Sequence, residues 1–358
     1  MLKVAIIDDG INIDFVRRMN PDPVKMVTYR VDSGEVVMCD ESRNITHGSM
    51  CAAFIRAQIH YNLYSIQIIN QKRKGNVENL VTALKWCCHN KMDIINISLG
   101  SVRSLDGDKL SETVNLLRDR DTFIVAAYDN RNIYTVPAQL DGVFGVRRLK
   151  SASLAPYEYT LSTENKVIMS GMECIEGIHA RSNSFATSVF TGILIKKLMT
   201  CGKKRLLHAV QEGASHMQVE IPQPKLEESY YKEIEVPIIK LDHAALAQNF
   251  SAALKQLSYN NIIAANKKNN DNMIPLEIYE KIDTRAVVNF LTDEYGASIL
   301  LYVNQPFETS KLDCDAEVQL DGDCFTLQID NDRYVEKGID AMAERVITYY
   351  EEMEYTGG

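Results

Sequence analysis

Three residues in separate parts of the chain have the types and local settings that nucleophilic catalysis requires. Asp8 opens an Asp-Asp-Gly turn after an apolar run, His47 precedes Gly-Ser and a series of small residues, and Ser188 follows Ala-Thr at the start of an apolar helical pattern. A carboxylate can orient an imidazole, the imidazole can act as general base, and a hydroxyl can attack a carbonyl carbon. Together the three segments predict acyl-transfer chemistry.

Each segment alone also has an interpretation without catalysis. A strand that ends in two aspartates is typical of receiver domains as well, in which acidic pairs hold Mg²⁺, so Asp8 by itself leaves both possibilities open. A histidine in a loop is usually structural or solvated, and Ser188 could serve only as a helix N-cap. Asp9 is expected to face solvent, and Gly10 is expected to permit a sharp turn after the strand.

Two further segments add residues that could surround a substrate. The strand predicted over 93–99 runs into Ser98-Leu99-Gly100, and the strand predicted over 123–127 is followed by Asn130. The Ser98-Leu99-Gly100 end disfavours a receiver domain, because in a receiver domain this strand should end in a phosphorylatable aspartate.

In this order and on these elements, the segments resemble the subtilisin-like serine proteases (subtilases) over residues 1–215. The resemblance implies that Asp8 orients His47, that His47 is the base, and that Ser188 is the nucleophile of the family's Gly-Thr-Ser-Met-Ala motif. It also implies that Asn130 donates a hydrogen bond to the oxyanion.

The resemblance further implies a primary specificity pocket with two walls. One wall would contain Ser98, Leu99 and Gly100, and the other would contain Ala126 and Ala127. Asp129 would favour a basic residue before the scissile bond if it faced this pocket, and it would have no such effect if it faced solvent.

The chain departs from the family pattern around the proposed nucleophile. Ala186 replaces the glycine before Thr-Ser, Val189 replaces the methionine, and Gly192 stands where a proline is expected. These changes keep open a protein of a different class, namely an inactive subtilase-like protein that binds peptides or acts as a scaffold.

Alternating apolar strands and amphipathic helices predict an α/β fold with a doubly wound parallel sheet and a second, smaller α/β domain. A peptidase domain is expected over 1–215, a linker over 216–233 and an accessory domain over 234–358. In the first domain, strands are predicted over 3–7, 63–69, 93–99 and 123–127, with helices over 48–58, 77–90, 109–120, 188–198 and 203–211. In the second, strands are predicted over 236–241, 261–265 and 297–303, helices over 244–257, 286–295 and 337–353, and a hairpin over 317–329.

Composition narrows the partners and the compartment. A net charge of −9 and a pI near 5.4 disfavour nucleic acid as the main partner. No apolar stretch is long enough to span a bilayer, and the N-terminal residues lead into a strand without a secretory signal pattern. With eight scattered cysteines, this predicts a cytoplasmic protein with reduced thiols. We expect no cofactor and no metal, and a specific peptide or protein precursor, such as a leader peptide, as substrate.

Overall fold

A nine-stranded sheet organises the first part of the chain, which divides into the units Met1–Pro222 and Gln223–Gly358. The computed structural model describes residues 1–69, 75–102, 104–131, 133, 135–148, 157–162, 166–169, 174–175, 178–179, 182–215, 226–231, 233–234, 236–266, 273–279, 282–303, 314–329 and 332–356. Residues 216–225 and 232 of the predicted linker lie outside this set.

The elements of the first unit follow one another in an α/β order. Its strands are β1 (Lys3–Asp8), β2 (Pro23–Asp32), β3 (Glu35–Met38), β4 (Tyr61–Gln67), β5 (Ile94–Ile97), β6 (Phe123–Ala127), β7 (Val143–Arg148), β8 (Tyr159–Leu161), β9 (Val167–Met169), β10 (Cys174–Ile175) and β11 (Ile178–His179). Its helices are α1 (Ile13–Met19), α2 (His47–Phe54), α3 (Val77–His89), α4 (Ser104–Arg118), α5 (Asn183–Cys201) and α6 (Leu206–Glu212), with a 3₁₀ turn at Lys203–Arg205.

The sheet has the strand order β3-β2-β4-β1-β5-β6-β7-β9-β8. Every pair from β2 to β9 in this order is parallel, and only the outer strands β3 and β8 pair antiparallel. The middle strands are almost entirely buried because helices cover both faces. The predicted α/β fold class is confirmed. Since β1, β5 and β6 are parallel, the residues that follow them meet at one edge of the sheet.

Helix α5 begins earlier than its apolar pattern predicts. The pattern indicates a start at Ser188, but the helix begins at Asn183, and the Ser182 hydroxyl caps it by accepting the N–H of Phe185 at 3.3 Å. The first turn is polar because it reaches the sheet edge rather than the core, so apolar periodicity could not detect it. Ser188 therefore lies in the second turn.

The second unit contains a seven-stranded mixed sheet of order β14-β13-β15-β12-β16-β17-β18. Its elements are β12 (Ile238–Leu241), α7 (Ala244–Gln256), β13 (Asn261–Ala265), β14 (Ile274–Pro275), α8 (Thr284–Tyr295), β15 (Ile299–Val303), β16 (Ala316–Asp321), β17 (Cys324–Ile329), β18 (Asp332–Glu336) and α9 (Ile339–Thr356), with 3₁₀ turns at Glu228–Tyr230 and Leu276–Tyr279. The predicted hairpin corresponds to β16 and β17, which are antiparallel. Across the described parts of both units, no helix combines the length and the apolarity needed to cross a membrane.

Candidate active site

The carboxylate of Asp8 and the ring of His47 form the centre of the site. Asp8 ends β1, and His47 is the first residue of α2. The Nδ1 atom of His47 lies 2.9 Å from one carboxylate oxygen of Asp8 and 3.1 Å from the other. The Asp8 side chain is 2% exposed, whereas that of His47 is 37% exposed. A buried carboxylate thus holds a ring whose far edge can reach a substrate.

Backbone features bring these two residues together. Gly10 has a φ of +91° and turns the chain sharply after β1, as predicted. A Cβ atom on Gly48 would lie 2.5 Å from the carbonyl oxygen of Gly10, so only glycine lets α2 approach the strand this closely.

Asp9 caps α2 instead of facing solvent as the sequence suggested. Its carboxylate accepts the N–H of Gly48 at 2.8 Å and that of His47 at 3.3 Å. These are unsatisfied donors at a helix start, where a negative charge is favourable. Asp9 is only half-buried, but burial and the neighbouring Asp8 raise its pKa. Its role is therefore to fix the first turn of the helix that carries His47.

The environment of the His47 ring favours its protonated form. Burial opposes the charge, but the hydrogen bond to Asp8 and the contact with Cys51 outweigh it and raise the pKa of His47 above its usual 6.5. The sulfur of Cys51 lies 3.8 Å from Nδ1. The ring of Phe185 stacks beside that of His47, with centroids 5.6 Å apart. This contact joins α2 to the first turn of α5.

Ser188 does not lie where a nucleophile must be. It has no exposed surface, and its hydroxyl donates to the carbonyl oxygen of Ser184 at 3.2 Å. Its N–H lies in the second turn of α5, within the helical hydrogen-bond ladder, so it is not available to an oxyanion. The burial of Ser188 and the bond of its hydroxyl to Ser184 therefore argue against its role as the nucleophile.

Ser184, one turn earlier, has the required position. It is the second residue of α5, it is partly exposed, and it precedes Phe185, which touches His47. Its hydroxyl donates to the carbonyl oxygen of Ser98 at 3.0 Å. The sequence did contain a signal for it: Ser184-Phe185-Ala186 follows the family's Ser-Met-Ala with phenylalanine in place of methionine.

The N-terminal N–H groups of α5 leave one donor unused. The N–H of Asn183 donates to Asn130 Oδ1, and those of Phe185 and Ala186 donate to Ser182. Among the described contacts, the N–H of Ser184 has no acceptor. An unused N–H beside a candidate nucleophile is the kind of group that stabilises an oxyanion.

Asn130 is oriented by the contact that it makes with this helix. Because Oδ1 accepts the N–H of Asn183 at 3.0 Å, its NH₂ group remains to donate elsewhere. The buried Asn183, which the sequence did not single out, donates to the carbonyl oxygens of Tyr128 and Asp129 at 3.0 and 2.9 Å and accepts the N–H of Arg148. It therefore ties the start of α5 to the ends of β6 and β7.

The residues predicted as pocket walls flank these groups. Ser98, Leu99 and Gly100 follow β5, and Ala126 and Ala127 end β6. These two strands pair with each other in parallel. Asp129 is engaged by its neighbour, since its carboxylate accepts from Arg131 N–H at 2.8 Å and Nε at 3.1 Å. This ion pair partly balances the Asp129 charge, which weakens the expectation that Asp129 favours a basic substrate residue.

A cleft of about 550 Å³ continues from this wall. Leu99, Gly100 and Ser101 line one side of it, and the start of α3 lines another. Charged residues also line it, including Glu78 and Lys109, which form an ion pair at 2.6 Å.

One group of side chains has ligand atoms close enough to bind a metal ion. The ligand atoms of Asp8, His47 and Cys51 all lie within 4.8 Å of one another. Asp8 and His47 already bond each other, so an ion here would compete with their contact. A metal ion bound to this group would therefore inhibit the site rather than take part in its chemistry.

Comparison with known families and proteins gives an independent result. A family model described as "Subtilase family" matches residues 1–231. Subtilisin DY of Bacillus licheniformis is 26% identical over 163 residues, which cover 42% of this chain and 57% of that protein. The minor extracellular protease Epr of Bacillus subtilis is 26% identical over 142 residues, covering 36% of this chain and 20% of that protein. The chain thus matches little more than half of one curated relative and a fifth of the other.

Solved structures with a similar fold include two leader-processing enzymes. One is the epidermin leader peptide processing serine protease EpiP of Staphylococcus aureus, with a TM-score of 0.45, 15% identity, and coverage of 59% of this chain and 68% of that one. Another is the nisin leader peptidase NisP of Lactococcus lactis, with a TM-score of 0.44, 13% identity, and coverage of 58% and 81%.

Proposed function

This chain belongs to the subtilase family, and we propose that it is a serine endopeptidase whose nucleophile is Ser184 rather than Ser188. The observation that carries the proposal is the unused N–H of Ser184 at the start of α5, next to a Phe185 ring that stacks on His47. The Asp8–His47 pair supplies the base, and Ser184 supplies a partly exposed hydroxyl.

The reaction follows from the positions of these groups. Rotation about the Cα–Cβ bond of Ser184 releases its hydroxyl from Ser98, and His47 then removes its proton as Oγ attacks the scissile carbonyl. Asp8 holds the ring and stabilises the imidazolium. The N–H of Ser184 and the NH₂ group of Asn130 bind the oxyanion. His47 next protonates the leaving amine, and water hydrolyses the acyl-enzyme.

For the substrate, we propose a specific peptide or protein precursor, such as a leader peptide. The cleft beside Gly100 supports this, because Glu78, Asp106 and Lys109 line it. Charged walls discriminate between substrates, since a peptide that places a like charge against them is repelled.

We also propose that the protein works in a reducing compartment such as the cytoplasm. Six of the described cysteine side chains support this, since none of them forms a disulfide: Cys39, Cys51, Cys87, Cys88, Cys201 and Cys324. Disulfides are common in proteins from oxidising compartments.

One observation favours a second candidate function, a subtilase-like protein that binds peptides without cleaving them. The Ser184 hydroxyl donates to Ser98 O, and no contact of the described residues joins it to His47. In this alternative the hydroxyl keeps that bond when a peptide is present.

A fluorophosphonate probe separates the two functions, because it labels only an activated serine. We expect labelling of the full chain, loss of label in Ser184→Ala, and retained label in Ser188→Ala. Loss of label in Ser188→Ala but not in Ser184→Ala would refute the nucleophile assignment. A folded wild-type protein that binds peptides and takes no label would favour the binding function.

A further inference from the structure

Thr135 occupies the space between the two walls of the specificity pocket. Gly100 lies on the first wall, and a Cβ atom placed on it would overlap the Cγ2 methyl of Thr135. This Cβ position on Gly100 lies 3.0 Å from the carbonyl oxygen of Val136 and 3.6 Å from that of Ala127, which belongs to the second wall. Thr135 and Val136 therefore lie between the two predicted walls, and the space beside Gly100 is too small for even a Cβ atom.

The Thr135 side chain is held in one orientation. Its hydroxyl donates to the carbonyl oxygen of Ile133 at 2.9 Å and accepts the N–H of Asp129 at 3.0 Å. The residue is 1% exposed. A threonine whose hydroxyl is fixed by two hydrogen bonds has a fixed χ1, so its methyl group must keep pointing towards Gly100.

The backbone after Thr135 is also attached to the first wall. Ser101 and Val136 exchange two hydrogen bonds, each N–H donating to the partner's carbonyl oxygen at 2.8 Å. Val136 has no exposed surface. The segment therefore cannot move aside for a large side chain without breaking this pairing.

We propose that Thr135 restricts the substrate residue before the scissile bond to glycine, alanine or serine. This inference rests on the proposed endopeptidase function and specifies its substrates as precursors with a small residue at the cleavage point. Asp129, the acidic residue near the second wall, is already paired with Arg131 at 3.1 Å.

The test uses the full-length protein and a proteome-derived peptide library, with cleavage sites identified by mass spectrometry. We expect wild-type cleavage after glycine, alanine and serine. Thr135→Gly removes the methyl group, so cleavage after leucine and phenylalanine should rise about tenfold or more. Thr135→Val is the matched control: it keeps the volume and replaces the hydroxyl with a second methyl group, so a methyl group still lies beside Gly100 and the preference should stay small.

A second measurement needs no peptide cleavage. Two diaryl phosphonate probes, with an alanine-like or a phenylalanine-like side chain, react with an activated serine at rates that depend on this pocket. The alanine-like probe should label the wild type faster, and Thr135→Gly should remove the difference. Equal labelling, or wild-type cleavage after large residues, would overturn the restriction alone. No labelling by these probes or by a fluorophosphonate would overturn the proposed function and this inference with it.

Discussion

Ser188 donates its hydroxyl hydrogen to the carbonyl oxygen of Ser184, one turn earlier in the same helix. This relationship separates two serines that look equivalent as letters in a sequence. Ser188 is enclosed in the core, whereas Ser184 sits at the open end of α5 beside the ring that contacts His47. The candidate nucleophile is therefore decided by where the helix begins.

The two serines should differ sharply in kinetics. Ser184→Ala should lower kcat on the order of 10⁶-fold, as expected for loss of a triad nucleophile. Ser188→Ala should keep most of the activity and lower the free energy of unfolding by about 1 kcal/mol, because it removes one helical side-chain hydrogen bond. Steady-state kinetics and thermal unfolding of both variants measure this, and an inactive but well-folded Ser188→Ala would contradict it.

The pH dependence should reflect the raised pKa of His47. Burial opposes its protonation, but the bonds to Asp8 and Cys51 prevail. Because the base must be neutral, kcat/KM should rise with pH through a value above 6.5. Asp8→Asn should move this limb towards lower pH and reduce kcat by about 10⁴-fold. The pH–rate profile of each protein tests both statements. If the rising limb of Asp8→Asn lies at the same pH as that of the wild type, Asp8 does not raise the pKa of His47.

Asn130 should act on the transition state more than on substrate binding. Asn130→Ala should lower kcat by about 10²–10³-fold with little change in KM, because the oxyanion loses one of its two donors. Asn130→Asp, which keeps the shape and the acceptor for Asn183 N–H, should lower kcat at least as much. An Asn130→Asp enzyme with normal kcat would show that the donor is not needed.

Gly192 should control the approach of the two helices that carry the site. A Cβ atom here would lie 2.6 Å from the carbonyl oxygen of Arg56, just after α2. Gly192→Ala should therefore cost about 1–3 kcal/mol of stability and reduce kcat by shifting Ser184 relative to His47. The same change at Gly338, where nothing lies within 4 Å, should leave the unfolding temperature unchanged.

A soft divalent ion should inhibit the enzyme through Cys51. Zn²⁺ suits sulfur, imidazole and carboxylate ligands, and these three groups lie together at the site. Micromolar Zn²⁺ should lower the rate, EDTA should restore it, and Cys51→Ala should weaken the inhibition. Equal inhibition of wild type and Cys51→Ala would locate the ion elsewhere.

The sequence alone determined the fold class and the Asp8–His47 pair. Continuous apolar strands separated by helices indicate a parallel sheet, and Asp-Asp-Gly and His-Gly-Ser sit at element ends, where local pattern and chemistry agree. The resemblance to the family also identified Asn130. Its role as a donor to the oxyanion stays a prediction, which the assays above test.

Only the tertiary structure decided that Ser188 is buried while Ser184 is partly exposed, and that the space beside Gly100 is filled. The start of α5 is set by the Ser182 cap and by Asn183, whose hydrogen bonds reach β6 and β7, and neither produces apolar periodicity. The pocket is narrow because the Thr135 methyl group packs against Gly100. Such contacts join residues far apart in sequence, so local pattern determines the elements while packing determines the site.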